Sequence, residues 1–470
     1  MINQTTQNDV QPSSTSKGAT QTLATWVAQT TFDQLPDKAV SRLRDFFLDW
    51  TGIAAFASGH AESSADIRVA VKRLDPEAGP ATVVGQKRGF SWLYAALLNG
   101  CHAHSLDFDD TNRIQHGHPS APVFAALFAD SERLDASGRV FFEAAAVGYE
   151  IACRVGAALG PGCWKRGFHM TSVAGIFGAV AAVAKLRKFN SQTIENAWGL
   201  ALSKAAGSMQ YLENGAFNKR LHPGFAAHDA LQCAALAEAG LKGASSAFEG
   251  ERGLLVAYTE EPRPAFLLDR LGENWLLLDT AIKPYPSCRL THGSIDAALK
   301  LRDSVPEEDR AKANLTVEIS STAYDIVGET SPDKIAPKST VDAQFSVYFQ
   351  VAAAFLDGQV NWKSYDRITA PDLVQLSKRV TVKKNDDVPD GGGIVTVEVD
   401  GKKDPERVNV PLGEPENWIG AAKLREKFMQ LSSQTYGDEL AARIADRIMA
   451  FDAEDSVRSI IKLLPLQSGE

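Results

Sequence analysis

Four of the nine histidines and three aspartates crowd between residues 102 and 118: His102, His104, Asp107, Asp109, Asp110, His116 and His118, with Thr111 among them. So many ionisable groups in an apolar context are costly unless they are used. Three chemistries compete for the window. His-x-His with nearby carboxylates offers nitrogen and oxygen ligands to a divalent metal, as in an HD-type hydrolase, and His228-Asp229 supplies that dipeptide. The DFDD run superficially matches the aspartate-rich metal motif of helical terpenoid synthases. That motif needs a second one on another helix, and the comparable cluster, Asn385-Asp386-Asp387, falls in a loop. The third chemistry is metal-free acid–base catalysis, with Asp107 and His118 brought together by the turn between them. For any one histidine alone, the plain reading is a helix end whose polar groups cap one another.

The downstream company of these groups favours the third chemistry. Lys219, Arg220 and His222 stand just before one expected helix, and Lys283, Arg289 and His292 stand around the start of another. Cations at a helix N-terminus oppose the helix dipole and become reasonable if an anion binds between them. Two such clusters point to a small polycarboxylate. Each member also has a plain reading: Lys219-Arg220 as a solvated surface pair, His169 as a helix cap, and Cys288 as a small buried hydrophobe with no oriented base for nucleophilic work.

The elements that must position these residues change in texture along the chain. From about residue 23 to 250 the pattern is helical and rich in small residues, clearest over 39–56, 90–104, 122–133, 139–159, 171–186 and 193–209. Gly175 and Gly178 interrupt the fifth of these, a cost repaid only by close packing in a crowded bundle. After residue 266, strand-like alternation appears at 314–321, 378–384 and 393–401, with NDDVPDGG reading as a hairpin loop between the last two and a helix over 343–358. Residues 418–433 and 439–464 again read as helical. The fold class expected is mainly α: a large all-helical domain from 21–277 and 413–470, formed by both ends of the chain, and a smaller α+β domain over 278–412. Residues 1–20 read as a disordered tail.

Bulk properties narrow the partners. A formal net charge of −9 argues against nucleic acid or an anionic membrane as partner. The cysteines Cys101, Cys153, Cys163, Cys233 and Cys288 are scattered without a C-x-x-C pair, the pattern of reduced intracellular thiols and a poor one for an iron–sulfur cluster. No apolar run reaches membrane-spanning length. The first twenty residues have no apolar signal core, lack arginine and contain Asp9, so the expected location is cytoplasmic, ahead of mitochondrial.

The runs LDFDDT (106–111), HPS (118–120), GYE (148–150), FHMTSV (168–173), KRLHPGFAA (219–227), FEGERG (248–253) and KPYPSCRLTH (283–292) resemble, in order, the MmgE/PrpD family, which includes 2-methylcitrate dehydratase, cis-aconitate decarboxylase and iminodisuccinate epimerase. The resemblance implies a homodimer, a site between the two domains, and no metal or organic cofactor. Carried over, the family's site positions fall on Asp107, Thr111, His118, His169, Lys219 and Lys283, with His222 and His292 in the same motifs. Animal cis-aconitate decarboxylases have a histidine where Cys288 stands, whereas fungal ones resemble this chain there. Arg289 adds a guanidinium able to hold a carboxylate through two hydrogen bonds. The expected mechanism has Lys219, Lys283 and Arg289 holding substrate carboxylates, Asp107 and His118 as an acid–base pair, and His169 as a second acid. Thr111, His222, Cys288 and His292 are expected in the binding site. Dehydration of a 2-methylcitrate-like or longer alkylcitrate comes first, then decarboxylation of cis-aconitate, then epimerisation of an imino or amino dicarboxylate. A non-catalytic scaffold comes last.

Overall fold

The structure is a computed structural model, and it describes residues 18–213 and 215–466. The expected tail falls on residues 1–17, outside the described residues, except for its last members. Ala19 and Thr20 already belong to the helix Ala19–Gln29, where buried Thr20 binds the Glu249 carboxylate.

The two interior glycines explain how the bundle is packed. In the helix Gly175–Leu186 every residue but Lys185 is buried. A Cβ on Gly178 would lie 2.5 Å from the Gly148 carbonyl oxygen, and one on Gly148 would lie 2.8 Å from the Ala182 Cβ. The missing side chains let this helix approach Gly138–Lys165 closely, which offsets the roughly 1 kcal/mol that glycine costs in a helix interior. Around this pair pack Asp37–His60, Ser120–Leu134 and Asn218–Glu238, and Trp92–His104 packs on these three in turn. Phe47 anchors the seam, with ring centroids 4.8 Å from Phe141 and 5.2 Å from Phe124.

The chain then builds a second core and returns. Apolar residues between 23 and 282, joined by others between 419 and 464, form the large helical core, and residues between 285 and 408 form the other. The returning helices Gly420–Tyr436 and Asp438–Met449 pack on Asp37–His60. The helix expected over 439–464 stops at Met449, and the one over 193–209 stops at Ala201. The fold is mainly α with a small sheet portion.

In the four-stranded sheet, Asn314–Ile319 lies between Val380–Lys384, to which it is parallel, and Gly393–Val399, to which it is antiparallel. The hairpin expected across NDDVPDGG therefore does not form, because its two flanking strands are not neighbours. The hairpin that does form joins Gly393–Val399 to Lys402–Val408 through Asp400 and Gly401, at φ 49° and 79°. That is the left-handed pair a two-residue turn demands. The strand KKDPERV gave no alternating signal because it is a mostly exposed edge strand of charged residues with Pro405 in its middle.

Candidate active site

The helix Trp92–His104 ends at the acidic window, and the chain turns through Asp107 at φ 53°, a left-handed conformation that aspartate tolerates better than most residues. The turn sends the three carboxylates to three different partner sets. Asp107 receives Lys219 Nζ on Oδ2 at 2.8 Å and Lys283 Nζ on Oδ1 at 2.7 Å. Asp109 Oδ2 receives His104 Nδ1 at 2.7 Å and lies 3.4 Å from His118 Nδ1. Asp110 accepts from the Ser120 N–H and hydroxyl on Oδ1 and from the Tyr149 hydroxyl on Oδ2 at 3.0 Å. Every carboxylate is thus engaged inside the protein, which fits neither aspartate-rich metal motif. Asp386, in the loop of the comparison cluster, accepts the Ser321 N–H instead.

Glycine again sets the distances. A Cβ on Gly100 would lie 2.9 Å from the Gly224 backbone, so Trp92–His104 and Asn218–Glu238 touch at backbone distance. This contact brings Lys219 and His222, inside the start of the second helix, against the end of the first. Arg220, from the same turn, donates to the His104 carbonyl at 3.0 Å and to Gln344 Oε1 at 3.0 Å. Gln344 donates in turn to the Leu106 carbonyl at 2.6 Å, which ties the second core to the acidic turn. A two-residue ladder, Thr111–Asn112 with Thr280–Ala281, makes a further tie beside Lys283.

The histidines gather on the other side of this nest. His118 Nδ1 donates to the Asp110 carbonyl at 2.8 Å, not to Asp107, so the expected Asp107–His118 pair is replaced by His118 with Asp110 and Asp109. His169 Nδ1 is 2.9 Å from His222 Nδ1, and Thr171 Oγ1 is 3.1 Å from His169 Nε2. His222 therefore stands behind His169. His104, absent from the expected site, is the third imidazole: its ring centroid is 4.7 Å from that of His118 and 5.6 Å from that of His169. His104, His118 and His169 are also the one set of residues, among those described, able to offer three metal ligands together. His228 and Asp229 pair with each other outside it.

Burial decides the protonation of these groups. It would raise the Asp107 carboxyl, but Lys219 and Lys283 outweigh it and hold that carboxyl well below the usual range. It pushes His118 down to about 3 despite Asp109, and His222 to about 4. Burial likewise holds His104 and His169 below the ordinary value. The imidazoles are neutral near pH 7 and can accept protons. Asp110 goes the other way, raised by burial to about 8.

The remaining expected residues spread outward. Thr111 and His118 form part of the wall of a cleft of about 810 Å³ between the two cores, whose apolar surface comes from residues such as Ile114, Trp164, Leu290, Ile326 and Val410 and which also carries Arg113, His116, Lys165, Asp390 and Glu416. Arg289 sits on this cleft with its Nε on the Glu414 carboxylate. Cys288 is half-buried, and burial raises its thiol, which argues against a thiolate nucleophile. His292 lies at the edge of the second core, its ring 5.3 Å from Tyr285. Lys427 went unseen in the sequence. Its ammonium binds Asp49 at 2.6 Å and the carbonyls of Phe108 and Lys283 at 2.9 Å each, pinning both segments. The available signal was a lysine on the same helix face as Leu424 and Leu431.

Residues 21–267 match the MmgE/PrpD N-terminal domain and residues 285–452 the MmgE/PrpD C-terminal domain. The chain belongs to the MmgE/PrpD family. Among this family member's relatives, the cis-aconitate decarboxylase of Aspergillus terreus is 26% identical over 482 residues, covering 96% of this chain and 97% of that one. The human cis-aconitate decarboxylase is 28% identical over 465 residues, covering 95% and 92%. The cis-aconitate decarboxylase-like protein oryM of Aspergillus oryzae is 27% identical over 477 residues, covering 95% and 97%. Both family domains thus bear on the nest, which takes Asp107, His118, His169 and Lys219 from the first and Gln344 from the second. Lys283 lies in the short stretch between them.

Proposed function

We propose that this MmgE/PrpD protein is a lyase that dehydrates a 2-methylcitrate-like tricarboxylate bearing an alkyl branch, with no cofactor. The coarse part, lyase chemistry on a small polycarboxylate, rests on the family and on relatives named as decarboxylases. The finer part rests on one observation. A neutral imidazole, His118, stands between a buried nest of cations and a largely apolar cleft of about 810 Å³. A cleft of that size takes a drug-sized ligand, and a bare tricarboxylate leaves most of it unfilled.

In this reading Lys219 and Lys283 face a substrate carboxylate and stabilise the charge that builds on it as the neighbouring carbon loses its proton. His118, with Nδ1 fixed by the Asp110 carbonyl, takes that proton at Nε2. The leaving hydroxyl departs as water with a proton from His169, whose basicity rises once a polyanion is bound and which shares a proton with His222. Asp107 holds the two lysines in place and stays ionised throughout. Starting from neutral imidazoles favours a reaction that begins by removing a proton. Decarboxylation of cis-aconitate is the second reading, favoured by the names of the relatives. The family's homodimer goes with either reading, and a uniform monomer in light scattering would remove it.

The test is to incubate purified protein with 2-methylcitrate, longer alkylcitrates, citrate, cis-aconitate and iminodisuccinate, following new unsaturation by ultraviolet absorbance and release of CO₂. Dehydration of alkylcitrates without CO₂ supports the first reading. Release of CO₂ from cis-aconitate alone replaces it with the second.

A further inference from the structure

His104, His118 and His169 each offer one nitrogen, and these atoms lie within 4.8 Å of one another. Two of the three are held as metal-ligating histidines usually are. His104 Nδ1 donates to the Asp109 carboxylate at 2.7 Å, and His118 Nδ1 donates to the Asp110 carbonyl at 2.8 Å. Each bond puts the proton on Nδ1 and leaves the Nε2 lone pair for another partner. His104 Nε2 has none: it is buried without a hydrogen bond. His169 Nε2 meets only the Thr171 hydroxyl, which keeps the His118 N–H if that contact is given up.

We propose that His104, His118 and His169 form a binding site for a borderline-soft divalent cation of the Zn²⁺ class, and that its occupation blocks the reaction. The site is inhibitory because it takes the His118 lone pair that accepts the substrate's proton and the His169 nitrogen that carries the proton to the leaving hydroxyl, so the inhibition rests on that reading while the binding does not. Zinc bound tetrahedrally at about 2.0–2.1 Å from each nitrogen needs neighbouring ligand atoms roughly 3.4 Å apart. Rotation of the three side chains by about an ångström closes the present spacing. Of the three, His118 lines the cleft, which gives the ion an entry path from that side. The Asp109 carboxylate supplies compensating charge, and Asp107 offsets the two nearby lysines. Imidazole ligands select against Mg²⁺ and Ca²⁺, which prefer oxygen.

Cobalt(II) is the probe, because its visible spectrum reports geometry with no substrate present. Titrated into chelator-treated, full-length protein, Co²⁺ is expected to give the intense visible bands of a tetrahedral site, displaced by Zn²⁺ at one ion per chain. The bands should be lost in H104Q and in H118Q, each checked for folding by circular dichroism. They should persist in C288S, which removes the one cysteine that is not fully buried. Weak octahedral bands in the wild type, bands that survive both histidine substitutions, or bands lost in C288S overturn the site. Zn²⁺ should also abolish turnover, reversibly with EDTA. A tetrahedral spectrum with full turnover in saturating Zn²⁺ overturns the inhibition. A protein inactive on every substrate tested but showing the spectrum keeps the site and sinks only the proposed reaction.

Discussion

Lys283 holds Asp107 twice: its ammonium donates to the carboxylate Oδ1 at 2.7 Å and to the backbone carbonyl of the same residue at 2.9 Å. One side chain thus fixes both the charge and the left-handed backbone of Asp107, while Lys219 takes the other carboxylate oxygen. The nest is a clamp on the turn as much as a set of reactive groups.

Replacing Lys283 by methionine should therefore damage stability and turnover together. Removing one partner of a buried ion pair costs about 3–5 kcal/mol, so the urea midpoint of K283M should fall clearly, and turnover should drop at least about a hundredfold, as when an oxyanion donor is lost. D107N/K219M/K283M, which removes the carboxylate together with both of its ammonium partners, should regain much of the stability and none of the activity. An unchanged midpoint in K283M would show that the clamp carries no load.

Stability should change with pH in two opposite directions. His118 and His102 are depressed to about 3 and His222 to about 4, so between their ordinary value near 6.5 and these values the unfolded chain binds protons that the native protein does not. Their contribution is present above pH 6.5 and is lost as pH falls toward 3. Asp110, raised to about 8, is protonated in the native state and ionised in the unfolded chain above its ordinary value of 3.8. Its contribution is present below pH 3.8 and is lost as pH rises toward 8. Denaturation midpoints measured from pH 4 to 9 should show both limbs, and D110N should flatten the upper one.

Arg289 and Glu414 give a test of substrate capture at the cleft. With its guanidinium bound to Glu414, Arg289 is only partly available to a substrate carboxylate. E414Q should lower KM for a tricarboxylate a few-fold, and R289A should raise it. Equal KM values in both variants would place Arg289 outside substrate binding.

Val410 lines the cleft and is 42% exposed, so a larger side chain there is tolerated by the fold. V410W should lower kcat/KM for a long-chain alkylcitrate by roughly tenfold, within the range for a changed apolar pocket contact. The value for 2-methylcitrate should hardly move. Parallel losses on both substrates would mean that the tail lies elsewhere.

Helix periodicity, the two bundle glycines and the ordered motifs were enough to establish the family and the mainly α fold from sequence. They also marked the acidic window and both cationic clusters as parts of one site. Strand order was not legible, because a parallel neighbour is reached by a long crossover and leaves no local signal, and the edge strand KKDPERV has no apolar alternation. Partner choice inside the nest was not legible either. Spacing placed Asp107 beside His118, whereas the structure gives His118 to Asp110 and Asp109, leaves Arg289 on Glu414, and brings in His104 and Lys427. In a cluster this dense each hydrogen bond is decided by shifts of an ångström. Those shifts are set by the Gly100–Gly224 helix contact and by the return of the C-terminal helix, contacts between residues far apart in the chain.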